Sequence, residues 1–154
     1  MAIEQGDAAP DFSLPDDSGG TTSLGDFAGS KLILYFYPKA FTPGCTTQAC
    51  DFRDNHAAFQ KAGYRIVGVS PDAPDRLAKF KAKHKLPFTL VSDEDHGVAE
   101  AYGAWGTKKN YGREYEGLIR STFIVDETGT VQTAWRNVRA TGHGERVMKE
   151  TGVE

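Results

Sequence analysis

The segment "KLILYFYP", residues 31–38, does most to constrain how this chain can fold. Its uninterrupted aliphatic and aromatic side chains leave no polar face, so a strand built from them must be central and covered on both sides. Pro38 closes the run, because proline has no N–H for a sheet ladder. The chain then passes directly into "KAFTPGCTTQAC", which holds its only two cysteines, Cys45 and Cys50. A buried strand therefore delivers both thiols to its own C-terminal end.

The surrounding pattern alternates. Upstream, "DFSLPDDSGGTTSLGDF" sets short alternating stretches around "DDSGG", a hairpin signature. Downstream, residues 43–62 contain no proline after Pro43 and predict one helix, with Thr42 as N-cap and Gly63 as stop. "YRIVGVS" reads as a second strand, "APDRLAKFKAKHK" as a helix, "FTLVSD" as a third strand and "HGVAEAYGA" as a short helix. "WGTKKNYGREYEG" is polar and glycine-rich and reads as a loop. "RSTFIVD", "ETG" and "TVQTAWRNV" predict strand, turn and strand, and "GHGERVMKETG" a last short helix. The order predicts an α/β sandwich with a mostly parallel centre, compatible with a thioredoxin-like fold with insertions.

At 154 residues the expectation is one domain, spanning 1–154. A hydrophobic share of 39 % and a charged share of 25 % describe an ordered soluble chain. The formal charge of −3 supplies no basic field, which argues against nucleic acid as a partner. The opening residues show no basic and apolar leader, and "LILYFY" is too short to cross a bilayer, so a cytoplasmic protein without membrane association is expected. In a reducing compartment, paired cysteines point to catalysis, redox sensing or metal binding.

Cys45 falls in the first turn of the predicted helix, where unpaired N–H groups and the helix dipole favour an anion. Pro43 and Gly44 suit a tight helix entry and close approach of another group, and a Thr42 hydroxyl could donate to the thiolate or to a substrate oxygen. Cys50 is five residues on. On an intact α-helix that offset separates the Cα atoms by roughly 8 to 9 Å, beyond the about 7 Å a disulfide tolerates. The two can bridge only if the helix partly unwinds, which suits a switch or a catalytic cycle better than a static staple. A metal site is disfavoured, since His56, His84, His96 and His143 are scattered and are expected at the surface or at helix ends. "GDFAGSK" and "SDEDHG" lack the spacing of phosphate and calcium loops.

The segment "YFYPKAFTPGCTTQACDFRD" resembles the active-site motif of the peroxiredoxins, P-x-x-x-[TS]-x-x-C, met here by Pro38, Thr42 and Cys45. The extension to Cys50 is similar to the peroxiredoxin Q branch, also called bacterioferritin comigratory protein. The likeness continues through "VGVSPD", "FTLVSDEDHGVAEAYGAWG" and "RSTFIVDETG", where the family's arginine corresponds to Arg120. The resemblance implies a peroxiredoxin-type thioredoxin-like fold with a central mixed sheet and an N-terminal hairpin. It also implies a thiol peroxidase in which Cys45 attacks the peroxide, Thr42, Arg120 and the Cys45 N–H stabilise moving charge, and Pro38 shields the pocket. Cys50 then closes an intramolecular disulfide that thioredoxin or a similar dithiol reduces, with no metal or cofactor, and the branch is often monomeric. The rival expectations are a thioredoxin-like disulfide oxidoreductase, which would normally carry C-x-x-C, and a redox-switched binding protein.

Overall fold

The computed structural model describes residues 3–110, 112–136, 138 and 142–152. In chain order the elements are β1 (Ser13–Pro15), β2 (Thr21–Ser23), β3 (Lys31–Phe36), α1 (Pro43–Asp54), α2 (His56–Lys61), β4 (Tyr64–Ser70) and α3 (Pro74–His84). There follow β5 (Thr89–Ser92), α4 (Gly97–Ala101), β6 (Trp105–Asn110), β7 (Arg113–Leu118), β8 (Ser121–Val125), β9 (Val131–Arg136) and α5 (His143–Thr151).

The N-terminal hairpin forms as expected, β1 pairing antiparallel with β2. Asp16 holds its turn, accepting hydrogen bonds from the Ser18 and Gly20 amides and from the Ser18 and Thr22 hydroxyls. Burial opposes that charge, but the hydrogen bonds prevail and lower its pKa to about 2.

β3 lies in the middle of a five-stranded sheet ordered β5-β4-β3-β8-β9. β4 pairs parallel with β3 and with β5, and β8 pairs antiparallel with β3 and with β9, so the central sheet is mixed, with β8 alone running against the other four strands. The apolar run of β3 serves both faces by simple alternation. Ile33, Tyr35 and Tyr37 join Phe52, Phe59, Leu77, Phe80 and Val147 from the helices α1, α2, α3 and α5. Leu32, Leu34 and Phe36 join Phe12, Phe27, Ala99 and Phe123 on the opposite face. Gly68 in β4 is required where Tyr35 crosses it, since a Cβ there would lie 2.9 Å from the Tyr35 hydroxyl and from Leu90 Cδ2.

Two sequence expectations need correction. The single helix over 43–62 is two, broken at Asn55. The Asn55 side chain donates to the Asp51 carbonyl at 2.9 Å, competing for an acceptor within the helix. The expected loop "WGTKKNYGREYEG" is the hairpin β6-β7, with Asn110 opposite Arg113 and Gly112 at φ 79° in the connection. Trp105 pairs with Leu118 at its base, and the Thr107 hydroxyl donates to Glu116 further out. Its polar composition hid a two-residue periodicity maintained by cross-strand pairs.

Candidate active site

The antiparallel register of β3 with β8 sets Phe36 opposite Ser121. The residues that follow β3 therefore meet the residues that precede β8, which brings together groups 75 positions apart.

Beyond β3 the chain is pinned before the helix begins. The Ala40 N–H donates to Asp72 Oδ2 at 2.7 Å, and the Ala40 carbonyl accepts from Arg76 Nη2 at 2.9 Å. Arg76 also forms an ion pair with Asp72 at 3.1 Å. Phe41 then takes a left-handed conformation, φ 68°, which costs a non-glycine residue about 1–2 kcal/mol. Its ring packs edge-on to Phe80 at 5.2 Å with the Arg76 guanidinium 5.0 Å from its centroid, contacts that hold the turn. Extended Thr42 and then Pro43 open α1.

Cys45, Gln48, Ala49 and Phe52 form the buried stripe of α1, at the 3, 4, 7 spacing of one helix face. Cys45 is 1 % exposed. Arg120, which reaches in from the residue before β8, donates through Nη2 to Cys45 Sγ at 3.2 Å and through Nη1 to Gln48 Oε1. Gln48 was not foreseen from the sequence. Its signal was a polar residue one turn from Cys45 on an otherwise apolar stripe.

The Thr42 hydroxyl does not reach the sulfur. It donates to the Lys39 carbonyl at 2.8 Å, so its lone pairs remain as acceptors, and it makes no side-chain cap. Gly44, half-buried, sits beside Cys45 in the first turn. Pro38 and Arg120 border a cavity of about 540 Å³ that extends to Lys108 and Ile119.

Cys50 lies off the buried stripe, half-buried, with its sulfur 3.9 Å from Nδ1 of His84 at the end of α3. Both cysteines are free thiols on one continuous helix. The four histidines do occupy helix ends, at His56, His84, His96 and His143. His143 opens α5 but is buried, being 2 % exposed and hydrogen-bonded to the Thr122 hydroxyl at 2.7 Å. Burial, reinforced by Arg146 and Arg120, lowers its pKa to about 4. Tyr35 and Tyr37, close to Cys45, are kept neutral because burial raises both phenols. Among the described residues no three His, Cys, Asp or Glu side chains gather as metal ligands, and no helix is long and apolar enough to cross a membrane.

Arg120 thus meets the Cys45 thiol in the first turn of α1, and residues 5–134 match the AhpC/TSA family. The chain belongs to the AhpC/TSA family. Peroxiredoxin Bcp of Bacillus subtilis is 50 % identical over 143 residues, 93 % of this chain and 91 % of that protein. The Xanthomonas campestris bacterioferritin comigratory protein, solved in work on its alkyl peroxide reduction activity, superposes with a TM-score of 0.90 at 38 % identity, covering 99 % of this chain and 98 % of the other. A cysteine-to-serine mutant of Xylella fastidiosa PrxQ gives a TM-score of 0.92 at 31 % identity, covering 99 % and 97 %. This peroxiredoxin thus has the thioredoxin-like α/β fold, and it is a thiol peroxidase.

Proposed function

We propose that this peroxiredoxin reduces hydrogen peroxide and organic hydroperoxides with Cys45 as the peroxidatic thiol and Cys50 as the resolving thiol. The observation that carries the reading is the Arg120 guanidinium donating to Cys45 Sγ at 3.2 Å in the first turn of α1. A fixed cation and the helix N-terminus both favour the anionic sulfur that attacks.

The Cys45 thiolate attacks the terminal hydroxyl oxygen of the peroxide. The S–O bond forms as the O–O bond breaks, Cys45 becomes a sulfenic acid, and the departing alkoxide or hydroxide takes a proton. Arg120 is placed to hold charge as it moves between the oxygens, with Gln48 fixing its other arm. Thr42, its hydrogen committed to Lys39, serves as an acceptor for the peroxide hydroxyl. Pro38 and Gly44 shape the entry, Pro38 limiting water at the sulfur. Cys50 then attacks the Cys45 sulfur and expels water, leaving a disulfide that thioredoxin or a similar dithiol reduces. Because α1 carries both cysteines, at least its first turn unwinds in that step. The reading is of one domain, 1–154, acting as a cytoplasmic monomer.

The assay uses the reduced protein with substoichiometric hydrogen peroxide, following peroxide and thiols together. Cys45→Ser loses peroxide reactivity, whereas Cys50→Ser consumes one equivalent and forms no internal disulfide. Peroxide consumption by Cys45→Ser at the wild-type rate contradicts the assignment.

A further inference from the structure

The cavity beside Arg120 is far larger than a hydrogen peroxide molecule requires. Its volume of about 540 Å³ is in the range that accepts an organic ligand. Pro38, Ile119 and Val138 give it apolar wall, while Lys108, Arg120 and Arg136 give it three cationic side chains, and no carboxylate is among its described lining residues.

These cations differ in how fully they are used. Arg136 donates to the carbonyls of Ile3, Tyr102 and Gly103 and to the Glu4 carboxylate, so its guanidinium is committed to the fold. Arg120 is committed to Cys45 and Gln48. Among the described residues Lys108 makes one hydrogen bond, to the Leu118 carbonyl at 2.9 Å, whereas an ammonium carries three N–H donors. That bond ties the side chain to the far strand of its own hairpin and fixes it at the cavity wall. Burial and the Arg120 charge lower the Lys108 pKa and the Cys45 sulfur opposes them, so Lys108 lies within the electrostatic field of the reacting pair.

We propose that Lys108 anchors a carboxylate: the cleft takes an organic hydroperoxide that bears a carboxylate away from its O–O bond, and the ammonium pairs with it while Cys45 and Arg120 engage the peroxide. The inference rests on the peroxidase reading of Cys45. Lys108 takes no part in the bond changes; sulfur attack and alkoxide departure proceed as above, and the ammonium positions the substrate. The same chemistry is presented by a compact hydroperoxy acid and by a long-chain one, and the apolar wall admits carbon in either.

The test compares kcat/KM for 4-carboxycumene hydroperoxide with that for its methyl ester, using dithiol-recycled enzyme and repeating the pair with a long-chain hydroperoxy acid and its ester. Wild type is expected to favour the acid by about fivefold at low salt, the scale of one partly screened ion pair, and less at high salt. Lys108→Met brings the ratio toward one, and Lys108→Arg keeps it. A preference confined to one acid identifies which source the cleft suits. A wild-type ratio near one for both acids overturns the proposal whatever the variants do, as does a ratio unchanged in Lys108→Met. Failure to turn over any peroxide, hydrogen peroxide included, is a separate outcome that overturns the peroxidase reading and this inference with it.

Discussion

Asp51 accepts a hydrogen bond from the Gly144 amide at 2.6 Å, tying the residue after Cys50 to the first turn of α5. Phe52, the next residue, packs edge-on against His143 at 5.7 Å. The C-terminal half of the cysteine helix is therefore anchored to α5, while its N-terminal half is held through Cys45 and Gln48 to Arg120. Unwinding that begins at the first turn keeps the anchor and brings Cys45 toward a stationary Cys50.

The anchor is open to a steric test. A Cβ at Gly144 would lie 2.8 Å from the Asp51 carboxylate. Gly144→Ala must displace the Asp51 carboxylate, costing about 1–3 kcal/mol as its hydrogen bond from the residue 144 amide is lost and freeing the end of α1. Urea unfolding is expected to show the lost stability, and stopped-flow oxidation a faster disulfide step, because part of the helix is already loosened.

Gln48 is the residue that turns Arg120 toward the sulfur. Gln48→Met keeps the volume and removes the acceptor for Nη1, and kcat/KM for hydrogen peroxide is expected to fall about tenfold to a hundredfold as the guanidinium loses its aim. Arg120→Lys replaces a planar fork by a point donor and is expected to cost at least as much. Steady-state kinetics with a dithiol reductant measures both.

His143 predicts a direction for acid stability. Its folded pKa, about 4, lies below the ordinary value of 6.5. Between these values the unfolded chain binds the proton and the folded one does not, so stability is full above about pH 6.5 and falls as pH drops toward 4, by up to about 3 kcal/mol. Urea midpoints measured across that window should decline with acid, and His143→Gln should flatten the slope.

What was legible in the sequence was local. The β3 run, the Asp16 hairpin and the Gly63 stop announce themselves through periodicity and turn chemistry. Helix geometry alone made Cys45 and Cys50 unable to bridge in place. Arg120, by contrast, came only with the family motif, because its approach to Cys45 depends on the register of β8 against β3. The Asp72 and Arg76 clamp on Ala40 and the left-handed Phe41 were invisible for the same reason, each being set by tertiary contacts, and the one polar residue on the α1 stripe marked Gln48 without naming its partner. The β6-β7 hairpin was missed because cross-strand pairs of polar side chains stabilise it, and composition reads those as loop.

The most direct measurement is amide hydrogen exchange across residues 43–54 in the reduced protein and in the protein carrying a mapped Cys45–Cys50 disulfide. The account predicts protected amides through α1 when reduced and lost protection in at least its first turn when oxidised. Undiminished protection across α1 in the disulfide form would contradict it.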